Sequence, residues 1–246
     1  MKYSKSDVHS KVHALSDMKF ENQTLTSFAG LVIFQKFFAT MELRKTLRGG
    51  FAHLDSGKIF KRTTLFMQLI IHVLLGFREL KDCRYYRDDP LVKRLLGLKR
   101  IPDVATLSRF LKEATAHSVD HLRRCLREII LMRLRLIAPP RLTLDFDGSV
   151  QSTQRRAEGL AVGFNKKKKG AQSYYPLFCT IAQTLQVLDF LHRPGNVHDS
   201  KGAKTFILAC LDAVQAILPF TTIEVRMDSA FFSDEIIAAL KERGIE

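Results

Sequence analysis

The sequence predicts a protein of mixed α and β structure, in which a helical region precedes a mixed sheet. Apolar residues recur at spacings of three and four up to about residue 137, whereas short apolar runs of strand length follow Pro139-Pro140. The charge changes at the same place. Residues 1–140 contain 26 lysines and arginines against 13 acidic residues, but residues 141–246 contain 13 against 12. We therefore predict a polar arm at 1–24, a basic helical region at 25–140 and a sheet domain at 141–246.

The basic region is predicted to contain several helices rather than one, because Pro90 and Pro102 interrupt its apolar periodicity. One of these helices begins after Pro102-Asp103 and carries Arg109 and Lys112 on its polar face. A basic polar face of this kind could lie in a groove of DNA, as the second helix of a helix-turn-helix reader does. The alternative is an ordinary amphipathic helix whose polar face contacts only solvent.

The sheet domain is predicted to follow the element order β-β-β-α-β-α. This order matches the opening of an RNase H-like fold, with the sheet incomplete at the C-terminus. Asp199 or Ser200 is the expected cap of the first helix, and Ser233 is the expected cap of the second. The predicted strands are Leu142–Phe146, Tyr174–Ile181, Gln186–His192 and Thr222–Met227, and the predicted helices are Lys201–Leu218 and Ser233–Arg243.

Two aspartates stand at the ends of predicted strands. Asp147 follows the first strand, and Asp228 follows the strand after the first helix. These strands are expected to be parallel neighbours joined by a right-handed crossover, so the two carboxylates could share a divalent metal ion. Asp145 points to the same face as Asp147 and is the alternative ligand. An aspartate after a strand is also a common turn former, which is the alternative for each residue taken alone.

The charge of the chain indicates an anionic partner. The net charge is +14 and the isoelectric point is about 9.8, as expected of a protein that binds a polyanion. Lys166, Lys167, Lys168 and Lys169 lie in the insertion between the first two predicted strands and could contact backbone phosphates, or could form a solvated loop. The most apolar stretch, Leu65–Phe77, is too short to span a membrane. The four separated cysteines are typical of reduced thiols in the cytosol.

Several motifs together resemble the DDE transposases of bacterial insertion sequences, of the transposase DDE domain group 1 type in the RNase H-like superfamily. The resemblance extends from about Asp88 to Glu246, and the order and spacing of the motifs make it specific. The motifs are Leu144-Asp145-Phe146-Asp147-Gly148-Ser149, then Glu158 to Gly170, then Tyr175-Pro176-Leu177 with Leu191 to Asp199, and finally Val225 to Phe232.

The resemblance implies that Asp147 and Asp228 are the first two acidic residues of a catalytic triad. It implies two Mg²⁺ ions, with Mn²⁺ as a possible substitute, which activate a water or a 3′-hydroxyl and stabilise the leaving oxygen during cleavage and joining of DNA. The implied partners are double-stranded DNA, both the terminal inverted repeats and the target, and further copies of the chain in the active complex. Such a protein is expected in the bacterial cytoplasm, associated with the nucleoid.

The third acidic residue of the resemblance is a glutamate on a helix that follows a further strand. Glu235, Glu242 and Glu246 all lie on or just after the helix that follows Asp228, so none is assigned to this role. The chain is therefore expected to be a truncated transposase that is inactive in strand transfer alone. The alternatives are a non-catalytic DNA-binding remnant that inhibits a full-length transposase, and an RNase H-like nuclease with another substrate.

Overall fold

The computed structural model describes residues 25–54, 57, 59–154, 157–163, 168–231 and 233–246. The predicted polar arm at 1–24 lies outside the described residues. The chain divides into two compact units, one within Met1–Arg44 and Ser56–Glu113 and the other within Lys45–Asp55 and Ala114–Glu246. Among the described residues, no helix combines the length and the apolar character needed to cross a membrane.

The described elements of the first unit are helical. Asp103 caps α5 by accepting a hydrogen bond from the backbone N–H of Thr106 at 2.8 Å, which confirms that this helix begins after Pro102-Asp103. Buried polar contacts join the elements of the unit, and one of them links His72 Nδ1 to the hydroxyl of Tyr86 at 3.0 Å. The helices are α1 (Leu31–Thr40), α2 (Leu43–Gly49, which contains the division between the units), α3 (Arg62–Leu74), α4 (Pro90–Leu96) and α5 (Val104–Lys112), with a 3₁₀ turn at Leu80–Tyr85.

Besides the part of α2 that lies within Lys45–Asp55, the second unit contains a long helix, α6 (Ala116–Ile137), and both sheets. Its remaining helices are α7 (Ala203–Gln215) and α8 (Asp234–Glu242), and a 3₁₀ turn lies at Ser229–Phe231. Its strands are β1 (Arg141–Gly148), β2 (Gln151–Ser152), β3 (Ala161–Val162), β4 (Gln172–Tyr174), β5 (Leu177–Ile181), β6 (Gln186–Leu191) and β7 (Thr222–Met227).

The position of α6 differs from the predicted domain boundary at residue 140. The helix belongs with the sheet, because Ile130 and Leu134 are part of the hydrophobic core that the sheet builds. Arg123 also donates two hydrogen bonds, of 3.0 and 3.1 Å, to the buried carboxylate of Asp189 on β6. The apolar stripe that predicts the helix is therefore the surface that packs on the sheet.

The main sheet has the strand order β6-β5-β1-β7. β1 is antiparallel to β5 and parallel to β7, so the predicted parallel pairing of the first strand with the strand after α7 is confirmed. Leu142, Leu144 and Phe146 are buried on one face of β1, which fixes the register because a shift by one residue would expose all three. Glu246 extends the pairing beyond β7 through hydrogen bonds to the backbone of Ile223 and Val225.

A second, three-stranded sheet with the order β2-β4-β3 occupies the insertion after β1. The predicted strand Tyr174–Ile181 is divided between the two sheets, since Tyr174 ends β4 and Leu177 begins β5. Pro176 lies at the break and has no N–H to donate to a ladder, which explains why pairing is interrupted there.

The helix caps of the second unit differ from prediction in one case. Ser233 caps α8 by accepting from the N–H of Ile236 at 3.3 Å, as predicted. α7 instead begins after Gly202, in a left-handed conformation with φ of 74°, and neither Asp199 nor Ser200 is its cap. The reason is that the backbone carbonyls of Asp199 and Lys201 both accept from the guanidinium of Arg193, which holds this segment in a turn.

Candidate active site

Asp147 and Asp228 lie next to each other at one edge of the main sheet. The residues of β1 from 141 to 146 face the residues of β7 from 222 to 227 in order, so the next position of the register is Asp147 beside Asp228. Neighbouring strands are about 4.8 Å apart, and parallel strands end at the same edge. The structure thus brings together the two aspartates that the sequence predicts as partners, and both are exposed to solvent.

The electrostatics of this pair are unfavourable without a cation. Partial burial raises the pKa of Asp147, and the charge of Asp228 raises it further. Asp145 and Asp199 act in the same direction, whereas a hydrogen bond from the backbone N–H of Gly148 opposes the shift. Carboxylate oxygens on rigid strands are the ligands that Mg²⁺ and Mn²⁺ prefer, so the donor set fits such an ion.

Asp145 is in a different situation from Asp147. It faces Arg226 in the pairing of β1 with β7, and the two side chains form an ion pair of 2.7 Å. Its carboxylate is therefore already in contact with a protein cation. This contact makes Asp145 a weaker candidate for a metal ligand than Asp147.

Asp145 and Asp199 raise the pKa of Asp147, but no third carboxylate among the described residues completes a metal site with the pair. Within the described ranges, no group of three or more histidine, cysteine, aspartate or glutamate side chains is arranged to hold one metal ion. Two of the glutamates that the sequence left unassigned are engaged elsewhere. Glu235 contacts Lys204 at 3.4 Å, and Glu246 contacts Arg141 at 2.5 Å.

A cleft of about 990 Å³ adjoins the two aspartates. Gly148 and Ser149 follow Asp147 into its lining, and Ala230 lines it two residues after Asp228. Its other lining residues are Val150, Ser152, Gly163, Lys168, Tyr175, Gly195, Asn196, Val197, His198 and Asp199. The cleft therefore joins the carboxylate edge to the insertion sheet and to the turn before α7.

The close packing of the cleft depends on glycine at two of its lining positions. A Cβ added to Gly163 would lie 1.6 Å from the carbonyl oxygen of Gly195. A Cβ added to Gly195 would lie 2.2 Å from the hydroxyl oxygen of Ser173. Both contacts are far shorter than side-chain carbon atoms tolerate, so these positions require glycine to bring the two backbones together.

The predicted DNA-contacting residues fall in three places. Lys168 lines the cleft and Lys169 is exposed beside it, whereas Lys166 and Lys167 lie outside the described residues. Arg109 and Lys112 are exposed on α5 in the first unit, where Arg109 Nε donates to the carbonyl of Ala105 in its own helix at 3.4 Å. Lys168 is thus the predicted basic residue that the structure places in the cleft.

The sequence reasoning did not select Tyr175, Arg193 or Asp199 as site residues. All three lie in motifs that carry the family resemblance, and that was the available signal. Their proximity could not be read from it, because it depends on how the insertion sheet folds back beside β6. An isolated bridge between Tyr174 and Pro194 makes this connection.

The second unit thus combines a mixed sheet, two neighbouring aspartates at one edge of that sheet and an adjoining cleft that contains a lysine. The chain belongs to the transposase DDE domain group 1 family, whose sequence profile matches residues 9–246. A comparison with curated proteins found no match.

Solved transposase structures also resemble the chain. One is the Mos1 transposase paired-end complex with left transposon end, with 12% identity and a TM-score of 0.32 over 78% of this chain and 60% of that one. Another is the piggyBac transposase synaptic complex with hairpin DNA, with 12% identity and a TM-score of 0.43 over 87% of this chain and 48% of that one. The chain thus spans 60% of the length of the first and about half the length of the second.

Proposed function

We propose that this chain is a DDE-type transposase that binds the terminal inverted repeats of an insertion sequence and acts on DNA phosphodiesters. The observation that carries the proposal is the register of β1 and β7, which sets Asp147 beside Asp228 at one sheet edge. The order β6-β5-β1-β7, with β1 parallel only to β7, supports an RNase H-like core. Membership of the transposase DDE domain family supports the reaction class.

Asp147 and Asp228 would hold the divalent cation, Mg²⁺ or Mn²⁺. When bound, such ions lower the pKa of a nucleophilic water or hydroxyl and stabilise the leaving oxygen of a phosphodiester. The protein contributes the rigid position of the two carboxylates, because Asp147 lies within the paired strand β1 and Asp228 directly follows the paired strand β7. Arg226 forms an ion pair with Asp145. Asp145, which also lies near the end of β1, therefore does not compete with Asp147 and Asp228 for the cation.

The basic side chains would position the DNA. Lys168, which lines the cleft, and the adjacent Lys169 would contact backbone phosphates, and Lys166 and Lys167 continue the same run of charge in the sequence. The exposed helix face with Arg109 and Lys112 would supply further contacts to double-stranded DNA. We expect a homo-oligomer, because the active complex assembles on two inverted repeats and a target. We expect the protein to be associated with the bacterial nucleoid, because its DNA substrate lies there.

Catalytic turnover is proposed to need one more carboxylate. The part of the chain that the structure describes contains no group of three side chains that could hold a metal ion. We therefore expect this polypeptide to bind inverted-repeat DNA but to show little strand transfer alone. A chain that binds DNA without cutting it would block a complete transposase. Inhibition of a full-length transposase is therefore the second candidate function, and the lack of a group of three metal ligands among the described residues favours it.

Binding of Mn²⁺ tests the site directly. Titration followed by the electron paramagnetic resonance signal of free Mn²⁺ should detect binding to the wild-type chain and its loss in Asp147→Asn and in Asp228→Asn. Asp145→Asn is the matched control and should retain binding, because Asp145 is paired with Arg226. Unchanged Mn²⁺ binding in both of the first two variants would overturn the proposed site.

DNA binding and cleavage test the function. The chain should bind a duplex that carries the inverted repeat of its element more tightly than a shuffled duplex, as measured by fluorescence anisotropy. Failure to bind any duplex would overturn the function. Robust Mg²⁺-dependent strand transfer by the chain alone would contradict the need for a further carboxylate.

A further inference from the structure

Two histidines of the second unit, His53 and His117, contact each other outside the candidate active site. His53 lies in the segment that follows α2, and His117 lies in the first turn of α6. The centres of their imidazole rings are 4.5 Å apart, and the ring planes are inclined by 68°. Both residues are exposed, so ions dissolved in the solvent can reach the pair.

The hydrogen bonds around His53 orient its ring and select its tautomer. Its Nε2 lies 2.9 Å from the hydroxyl oxygen of Thr115, the cap of α6. This oxygen also accepts a hydrogen bond from the backbone N–H of Ser118 at 3.3 Å, and the hydroxyl can donate its own proton to Ser118 Oγ at 3.4 Å. Nε2 of His53 is then the donor to Thr115, so Nδ1 keeps the free electron pair that a metal ion needs. A hydrogen bond from the second ring nitrogen is typical of histidines that bind metals.

His117 has both ring nitrogens available to a ligand. It forms no hydrogen bond with another residue that the structure describes, and its ring contacts that of His53. His121, one turn further along α6, differs because its Nε2 lies 2.9 Å from the carbonyl oxygen of Thr46 on α2. His121 therefore joins α2 to α6, whereas His117 remains free to bind.

The separation of the two rings fits one shared metal ion. A metal–nitrogen bond of about 2.1 Å that points to the ring centre places the ion about 3.2 Å from that centre. Two ring centres 4.5 Å apart then subtend an angle of about 90° at the ion. This angle belongs to the tetragonal geometry of Cu²⁺ and Ni²⁺ with nitrogen ligands, whereas tetrahedral Zn²⁺ requires a wider one.

We propose that His53 and His117 bind a divalent transition-metal ion of the Ni²⁺ and Cu²⁺ class. The described residues contain no group of three side chains arranged around one ion, so water completes the coordination. Imidazole suits these ions, whereas Mg²⁺ and Mn²⁺ prefer oxygen ligands, so the site differs in chemistry from the carboxylate pair. The inference uses no residue of the candidate active site and does not depend on the proposed function.

A bound ion would link two segments that are distant in the sequence. His53 and Thr115 are 62 positions apart. The chain passes between the two units directly after Asp55 and directly before Ala114, so the ion would join the second-unit ends of these two connections. Occupancy should therefore raise Tm by a few degrees, because the ion binds the folded arrangement of the two imidazoles.

Isothermal titration calorimetry with Ni²⁺, in excess Mg²⁺, measures the site. The wild-type chain should bind Ni²⁺ with a Kd on the order of 10–100 µM, because two imidazoles supply about half of the ligands of a four-ligand site. His53→Gln and His117→Gln should each weaken this binding at least about tenfold. His198→Gln changes another exposed histidine of the second unit and is the matched control, which should bind as the wild type does.

Electron paramagnetic resonance of the chain loaded with Cu²⁺ identifies the ligands. The wild type should show nitrogen splitting from two imidazoles, and each glutamine variant should show fewer nitrogens. Circular dichroism establishes that the variants remain folded. His117→Cys replaces one metal ligand by another and should restore Ni²⁺ binding, which a purely structural role of His117 would not produce.

Absence of Ni²⁺ binding to the wild type would overturn this inference and leave the proposed function standing. Binding that remains unchanged in either His53→Gln or His117→Gln would overturn it as well. Loss of Mn²⁺ binding at the carboxylate pair concerns the proposed function alone, because the two sites share no residue. Loss of Ni²⁺ binding in both glutamine variants, with the His198→Gln control unaffected, is the result that supports the inference.

Discussion

Replacing Asp147 by asparagine should stabilise the metal-free protein, although Asp147 is proposed to be essential for metal binding. In the folded protein, partial burial and the charge of Asp228 raise the pKa of Asp147, so ionisation of this carboxyl opposes folding. Two unit charges at the spacing of neighbouring strands repel by about 1 kcal/mol in the dielectric of water, which is appropriate because both carboxylates are exposed. For a chain of this size the gain corresponds to about 2–4 °C in Tm.

The pH dependence of this gain follows from the direction of the shift. A carboxyl whose pKa is raised on folding destabilises the protein when it is charged, so the benefit of Asp147→Asn is complete above the raised pKa. It is lost as the pH falls below the pKa of an unfolded aspartate, near 3.9, because wild type and variant are then both neutral at this position. The assay is urea or thermal unfolding followed by circular dichroism in EDTA, at pH 7 and at several lower values.

A control variant, Asp145→Asn, and the effect of Mn²⁺ provide two further checks of this prediction. Asp145→Asn should have the opposite sign and lower the free energy of unfolding by about 0.2–1 kcal/mol, because it removes the ion pair with Arg226. Saturating Mn²⁺ should reverse the order of wild type and Asp147→Asn, since an ion at 100 times its Kd stabilises the wild type by about 2.7 kcal/mol. Destabilisation by Asp147→Asn in EDTA at pH 7 would refute the reasoning.

Three further predictions concern the packing and the charge of the molecule. Gly163→Ala should destabilise the protein by at least about 1–3 kcal/mol in urea unfolding, because its Cβ would collide with the carbonyl of Gly195. Replacing Lys166–Lys169 by alanine should make the slope of log K for DNA binding against log salt less negative by up to about 3–4, in proportion to the phosphates released, and an unchanged slope would exclude their contact. Asp189→Ala should cost about 3–5 kcal/mol in the same unfolding assay, because it removes the buried carboxylate that Arg123 and Arg127 both contact.

Matched controls exist for the packing and ion-pair predictions. A Cβ at Gly30 meets no atom within 4 Å, so Gly30→Ala should change the free energy of unfolding little. Asp212→Ala removes an exposed carboxylate that pairs with Arg243, and the expected cost is below about 1 kcal/mol. Costs in Gly163→Ala or Asp189→Ala no larger than those of the controls would contradict the structural reasons given for them.

Much of the second unit could be predicted because its local signals agree with its tertiary structure. Thr222–Met227 is a strand with the predicted bounds, since its apolar and β-branched residues fit a sheet position. Ser233 caps α8 because a serine followed by an amphipathic run has few competing structures. At α7 the same reasoning failed, because Arg193, which precedes the helix, donates hydrogen bonds to the carbonyls of Asp199 and Lys201, and these bonds outweighed the capping preference.

In the candidate site, some features follow from local sequence signals, and others depend on contacts between distant parts of the chain. Asp147 and Asp228 could be paired from sequence because a crossover between parallel strands leaves few alternatives, and an apolar face with Leu142, Leu144 and Phe146 fixes the register. The lining of the cleft has no such constraint in the sequence. Tyr175 comes after the insertion sheet, and the chain bends at Pro176 before β5 begins. The approach of Tyr175 to Gly148 therefore depends on how the insertion folds and not on the spacing of residues in the sequence. A cleft lining that forms in this way can vary its polar groups without disturbing the strands that hold the two aspartates.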